Sequence, residues 1–326
     1  MRRSPILVLG CGSIGRRHIS NLKSLGRTVV AYDTAADRRR WARENLKIET
    51  VDSVEAGLAR RPAAVFVCTP PSSHAGPGLL ALRAGVPMFV EKPLASGLAD
   101  GKKLAATGKI PAAVGYQLRF HPALRWIKER LEKNSWGKLL FLRAEFGQYL
   151  PDWRPWQNYR RSYTARKALG GGILLDASHE LDLVRWLAGE ARSVFCLAKR
   201  LALPVDVEDT AALLMEMRSG AIAEVHLDMV QRGFRRGLLI SCTRATVTFE
   251  LPASRVTIVK GPGKSVVKNF PFQSNDLYLA QTRAFLRRLG NSASDGLVSP
   301  RDALKTLELV ETARKSARTG RKERTP

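Results

Sequence analysis

Short apolar runs alternate with amphipathic stretches along the first third of the chain. "PILVLG" (residues 5–10) is a strand-length apolar run ending in glycine, "RRHISNLKSLG" (16–26) has helical spacing and a glycine stop, and "TVVAYD" (28–33) is a second strand. The rhythm continues with a helix at 35–46, a strand at 48–51, a short helix at 53–61 and the strand "AAVFVCT" (63–69). A helix at 74–85, the strand "PMFVEK" (87–92), a helix at 98–108 and the strand "PAAVGYQL" (111–118) complete it. Five or six strands joined by helical crossovers predict a doubly wound parallel sheet, which is an α/β architecture.

The pattern then changes. After a helix at 122–134 come "KLLFLRAEFGQY", "SVFCLAKRL", "TAALLMEM", "GAIAEVHLDMV", "RGLLISC", "ATVTFEL" and "RVTIVKG", most of them alternating apolar and polar residues. This predicts an α+β domain with a large, mainly antiparallel open sheet packed on one face. If the other face is partly apolar, through Leu213, Met215 and Met217 or their neighbours, it is a candidate surface for a homodimer or homotetramer. A last helix opens at Ser299 with Pro300 in its first turn. The expected division is residues 1–120, 121–312 and a basic tail at 313–326.

A chain of 326 residues fits two domains. No apolar run approaches membrane-spanning length and the N-terminus lacks a signal-peptide pattern, so a soluble, cytoplasmic protein without membrane attachment is expected. Four scattered cysteines without a CxxC pair imply reduced thiols and no metal site. The net charge of +25 raises the possibility of a nucleic-acid partner. The basic residues are spread along the chain without a base-stacking motif, so a basic surface with no specific nucleic-acid role is the expectation. The tail holds six basic residues against one acid and reads as a solvated, frayed end.

Candidate chemistry concentrates at strand ends. Gly10, Gly12 and Gly15 in "GCGSIG" match GxGxxG between a strand and a helix, a dinucleotide turn in which Ser13 and Ile14 also belong. Asp33 ends the second strand, where a carboxylate can bind an adenosine ribose. That favours NAD over NADP, although Arg38 and its neighbours weaken the preference. Thr69, Pro70 and His74 lie on the loop after the fourth strand, where His74 either caps the next helix or touches the cofactor. Glu91 and Lys92 end the fifth strand before Pro93, a candidate cis residue. Lys92 is a candidate for proton transfer or for polarising a hydroxyl. Gln117 and Arg119 are candidate cleft residues, and His121 is a hinge or helix-start residue.

"GCGSIGRRH", "VFVCTPPSSH", "AGVPMFVEKPLA" and "GGGILLDASHELDLVRWLAG" together resemble the glucose-fructose oxidoreductase and inositol dehydrogenase family, often written Gfo/Idh/MocA. The resemblance implies an N-terminal Rossmann domain and a C-terminal α/β domain with a large open sheet. It also implies NAD(P)-dependent oxidation or reduction of a sugar, sugar nucleotide or polyol. By position, Lys92 is the family's EKP lysine and His179 the histidine of its glycine-led helix, the leading acid/base. The family commonly places an aspartate four residues before that histidine, whereas Asp176 stands three before it. On one continuous helix either spacing keeps the carboxylate on the histidine's side. Asp182 matches a structural position, and Glu180 is either a substrate contact or a surface acid. Gly170, Gly171 and Gly172 are expected to turn the chain and approach the cofactor.

The segment "WRPWQNYRRSYTARKALGGG" is dense in arginines and aromatics. Trp153, Arg154, Trp156, Tyr159, Arg160, Arg161 and Tyr163 form either a lid for an anionic sugar-like substrate or a loop that packs over the sheet. A non-catalytic, dinucleotide-binding regulator is the alternative function, and retention of both Lys92 and His179 argues against it.

Overall fold

The computed structural model describes residues 4–290 and 296–326. It divides into two compact units, one of residues 1–117 and 274–304 and the other of 118–273 and 305–326. The expected boundary near residue 120 is displaced by only a few residues, but the assignment of 121–312 to one domain is not what the structure has. A helix at 274–289, missing from the sequence reading, carries the chain back to the first unit. Its pattern is visible in retrospect: Leu277, Gln281, Ala284 and Phe285 are buried at helical spacing.

In the first unit six parallel strands, β1 (Ile6–Leu9), β2 (Val29–Tyr32), β3 (Glu49–Thr50), β4 (Ala64–Val67), β5 (Met88–Glu91) and β6 (Ala112–Gly115), lie in the order β3-β2-β1-β4-β5-β6. The crossovers carry α1 (Ser13–Ser24), α2 (Ala36–Leu46), α3 (Val54–Leu58), α4 (Ala75–Arg83) and α5 (Leu98–Ala105). Residues of β1, β4 and β5 are fully buried, which explains why they read as unbroken apolar runs. The order reverses between β1 and β4, so the loops after these strands diverge and leave the crevice where doubly wound folds bind ligands.

The second unit begins with α6 (Pro122–Glu132) and is built on nine strands: β7 (Leu139–Gly147), β8 (Ala191–Lys199), β9 (Thr210–Met217), β10 (Ile222–Asp228), β11 (Arg235–Cys242), β12 (Thr246–Glu250), β13 (Arg255–Val259), β14 (Ser265–Asn269) and β15 (Glu323–Arg324). Their order is β14-β13-β12-β11-β7-β10-β9-β8-β15, antiparallel except where β7 pairs in parallel with β10. Between β7 and β8 lie α7 (Leu150–Trp153), α8 (Ile173–Asp176) and α9 (Ser178–Ala188). The last two helices of the chain are α10 (Ser274–Leu289) and α11 (Pro300–Thr319), and the Ser299 hydroxyl accepts from Asp302 N–H at 3.1 Å to start the latter.

Alternation along β9 buries Leu213, Met215 and Met217. The open face is therefore formed by their neighbours, with Leu197, Leu214 and Ile222 about half exposed.

The tail is not frayed. Helix α11 runs to Thr319, the Ser316 hydroxyl accepts Cys196 N–H at 2.9 Å and donates to Arg321 O at 2.6 Å, and β15 pairs with Ser193 and Val194 of β8. Backbone pairing at a sheet edge needs no apolar side chains, so composition alone misreads this segment.

Candidate active site

The glycine turn after β1 has two kinds of glycine. Gly10 has φ +103°, and a Cβ there would stand 2.6 Å from Cys68 O, while a Cβ on Gly15 would collide with Gly10 O. Both are required by the protein's own packing. Gly12 has ordinary backbone angles and open space where its Cβ would be. Its lack of a side chain leaves the backbone accessible at the N-terminus of α1, as a pyrophosphate requires. Gly12→Val is accordingly expected to weaken NADH binding about tenfold or more with an unchanged melting temperature, whereas Gly15→Val loses stability; fluorescence titration and thermal melts separate the two.

Asp33 is buried at the end of β2, and its carboxylate accepts Cys11 N–H at 2.7 Å and Ala35 N–H at 2.9 Å. It therefore shapes the glycine turn. Arg38 Nη1 stands 3.7 Å from Asp33 Oδ2 and Arg39 donates to Asp33 O at 2.6 Å, which places cationic groups around the carboxylate. Burial, then Asp33, pushes the Cys11 thiol up to about 11, so it stays protonated at neutral pH.

On the loop after β4, His74 is fully buried. Its Nδ1 lies 2.9 Å from Pro93 O and its Nε2 2.9 Å from Thr69 O, and burial pushes its pKa down. It neither caps α4 with its side chain nor presents a free ring edge; it ties the Thr69–Pro70 loop to the loop after Lys92. The Lys92–Pro93 peptide is cis, as the motif suggested. Glu91, the last residue of β5, turns its carboxylate inward to His18, with Nε2 and Oε1 2.7 Å apart. Gln117 donates to Tyr278 Oη at 3.2 Å.

In the second unit the glycine-led helix is broken. Gly170 and Gly172 take φ of +79° and +103°, α8 ends at Asp176, and Ala177 separates it from α9. The glycines pack closely against the protein: a Cβ on Gly171 would reach Thr164 O at 2.5 Å, and one on Gly172 would collide with the Glu208 carboxylate. The break removes the single-helix geometry expected of Asp176 and His179. Asp176 accepts Tyr163 Oη at 2.8 Å and Thr164 Oγ1 at 2.5 Å, so it ties the preceding loop to the turn. His179 is buried on the first turn of α9.

Glu180 is neither a surface acid nor an open substrate group. It is 1% exposed, and Arg236 of β11 donates to both its oxygens at 2.6 and 3.1 Å. Arg119, expected to line a cleft, is also buried and forks onto Asp182 at 2.9 and 2.7 Å. Asp182 thus has the structural place its motif position implied. His121 starts α6, its Nδ1 accepting Ala123 N–H at 3.2 Å, and burial lowers its pKa to about 4.

The arginine and aromatic segment divides residue by residue. Trp153 donates to Gln148 O at 3.0 Å and packs edge-on against Phe146, and Tyr163 is engaged by Asp176. Trp156 is 78% exposed, and Arg160, Arg161, Arg166 and Lys167 of the same segment are also exposed.

Two residues with no local signature support the glycine turn. Glu208, from the loop before β9, accepts Leu174 N–H at 3.3 Å, and its backbone carbonyl accepts Ile173 N–H at 3.1 Å. Arg314, in the segment read as a loose tail, donates to Gly171 O at 3.5 Å and lies 3.8 Å from Glu208 Oε1. Burial raises the Glu208 pKa above its ordinary 4.5. The folded state then holds the proton more tightly than the unfolded one, so this group's stabilising contribution is full below 4.5 and is lost as pH rises through the raised value. Glu208→Gln, which cannot ionise, should gain in melting temperature relative to the wild type as melts are run from pH 4.5 to pH 8.

Comparison with known proteins decides the family. Residues 5–110 match the profile described as "Oxidoreductase family, NAD-binding Rossmann fold", and residues 124–248 match "GFO/IDH/MocA C-terminal domain". The chain belongs to the GFO/IDH/MocA oxidoreductase family. It is 27% identical to the myo-inositol 2-dehydrogenase of Thermotoga maritima, with 95% of each chain covered. It is likewise 27% identical to the UDP-N-acetylglucosamine 3-dehydrogenase of Acidithiobacillus ferrooxidans, over 69% of this chain and 67% of that one. Its fold matches the crystal structure of the WlbA dehydrogenase from Bordetella pertussis in complex with NADH and UDP-GlcNAcA at a TM-score of 0.84, with 22% identity and coverage of 100% and 99%. The GFO/IDH/MocA N-terminal domain is NAD-binding, and the glycine turn, with the vacant space over Gly12 and the buried Asp33, fits that cofactor. Among the described residues, no helix of this family member is long and apolar enough to cross a membrane.

Proposed function

We propose that this protein is an NAD-dependent dehydrogenase that moves a hydride between the nicotinamide and a secondary alcohol or ketone of a sugar, sugar nucleotide or polyol. The observation that carries the reading is the pairing of an accessible glycine turn at Gly12 with a lysine at the carboxyl end of β5, in a chain of this oxidoreductase family. The curated relatives named above act on inositol and on a nucleotide-linked sugar, which supports the substrate class.

NAD, when bound, supplies the two-electron acceptor or donor. Gly10, Gly12, Ser13, Ile14 and Gly15 would hold its pyrophosphate, Asp33 and Arg38 the adenosine end, and Thr69, Pro70, Glu91, Lys92 and Gln117 the remainder. The carboxylate of Asp33 favours NAD, and the nearby Arg38 keeps NADP as a weaker alternative. Lys92 orients the substrate oxygen and stabilises negative charge on it, and His179 takes or returns the hydroxyl proton. Asp176, bound to Tyr163 and Thr164, holds the turn that carries His179. The exposed Arg160, with Trp156 in the same segment, suits an acidic or diphosphate-bearing sugar.

We place the enzyme in the cytoplasm, as a homodimer or homotetramer joined through the open sheet face at Leu197, Leu214 and Ile222; sedimentation at micromolar concentration tests the assembly. No specific nucleic-acid or membrane role is assigned. The function is tested by a panel of polyols, free sugars, nucleotide sugars and acidic sugars with NAD+ and NADP+, following reduced cofactor. A signal confined to acidic or nucleotide-linked sugars supports the role of Arg160, and a signal only with neutral polyols overturns it.

A further inference from the structure

We propose that His18 and Glu91 form a buried couple that positions Lys92, so that the helix starting at the glycine turn sets the geometry of the lysine that follows β5. The proposal rests on the dehydrogenase reading for its kinetic consequence.

The couple occupies a place where apolar residues would pack at less cost. His18 is 0% exposed and its ring stands against Phe66 and Phe89, with centroids 5.3 Å away in each case. A carboxylate buried there is tolerated only if its oxygens are satisfied. Both are. Oε1 lies 2.7 Å from His18 Nε2, and Oε2 accepts the Lys92 backbone N–H at 3.2 Å.

Two details point to a constructed arrangement. Glu91 is in register with Gly115 on β6, and a Cβ at Gly115 would stand 2.8 Å from Glu91 Oε2, so the strand beside it is kept bare for the carboxylate. His18 Nδ1 is buried and has no hydrogen-bond partner among the described residues. The tautomer with its proton on Nε2 leaves Nδ1 needing no acceptor and makes His18 the donor to Glu91.

One chain of hydrogen bonds therefore runs from α1 through His18 and Glu91 to the backbone of Lys92. His18 lies one turn beyond Gly15, so a shift in the cofactor turn moves the donor that anchors the carboxylate. Without that donor, Glu91 has no fixed orientation and neither has the peptide that carries Lys92. Small displacements of a reacting group cost rate more than they cost binding.

The test compares His18→Leu with His18→Gln in the full-length protein. Both lose the imidazole ring, but glutamine restores an N–H near the Nε2 position and leucine does not. With the best substrate and NAD+, His18→Leu should lower kcat about tenfold to a hundredfold, leaving the substrate KM and the NADH Kd within about twofold. His18→Gln should recover kcat to within about threefold of the wild type. Equal kcat in the two variants, whether reduced or at the wild-type level, overturns the couple.

A second measurement needs no substrate. In ligand-free protein the Lys92 amide should exchange hydrogen faster, relative to amides of β4, in His18→Leu than in wild type, and slow again in His18→Gln. Unchanged relative exchange overturns the proposal. If the wild type reduces NAD+ with no sugar-like substrate, the dehydrogenase reading fails while amide exchange still decides whether His18 anchors Glu91 and Lys92.

Discussion

Lys92→Ala is expected to lower turnover by about three orders of magnitude, with the NADH Kd within about twofold of wild type. The lysine directly follows a buried strand, and its backbone is held by the Glu91 carboxylate. On the proposed function, removing the ammonium takes away the group that orients the substrate oxygen, while Gly12, Asp33 and the α1 N-terminus remain as the proposed dinucleotide site. A loss in kcat/KM carried by kcat marks an interaction made in the transition state; a loss carried by KM alone would assign Lys92 to ground-state binding. Steady-state kinetics alongside NADH fluorescence titration makes that division.

Arg119→Ala should be the most destabilising single substitution in the second unit. The guanidinium forks onto Asp182, which is 1% exposed and also lies 3.5 Å from Thr306 Oγ1. Truncating the arginine leaves a carboxylate buried with its main partner gone, a loss of about 3–5 kcal/mol. For a protein of this size that lowers the melting temperature by about 4–7 °C. Arg119→Met with Asp182→Leu removes both charges together and should recover much of the loss, because an apolar pair of similar volume avoids the desolvation that the ion pair only offsets. Calorimetric melts of the three proteins check both statements. A single variant as stable as the wild type would mean that Asp182 is held adequately by its remaining neighbours.

The first unit was legible because its signals are local. Buried strands such as Ile6–Leu9 and Ala64–Val67 announce themselves as apolar runs, and the glycine turn, Asp33 and Lys92 all sit where strands end. The alternation of β9 likewise showed a one-sided sheet, but not which phase faced inward; burial places Leu213, Met215 and Met217 inside and their neighbours on the open face. What composition could not show were pairings between distant residues. Glu180 and Arg119 look like charged cleft residues until Arg236 and Asp182 are found against them, 56 and 63 positions away. Arg314 looks like one more tail arginine until it reaches Gly171, 143 positions earlier. The helix break at Ala177 had no proline to mark it, and it follows from the glycine turn and from Asp176 being bound by Tyr163 and Thr164.

The most direct test of the central claim is reduction of NAD+ by the wild-type protein across the substrate panel, repeated with Lys92→Ala. The account predicts reduced cofactor with at least one sugar, sugar nucleotide or polyol, and its disappearance in the variant while NADH binding persists. Equal turnover by Lys92→Ala, or cofactor binding without reduction on any substrate of the panel, would contradict it.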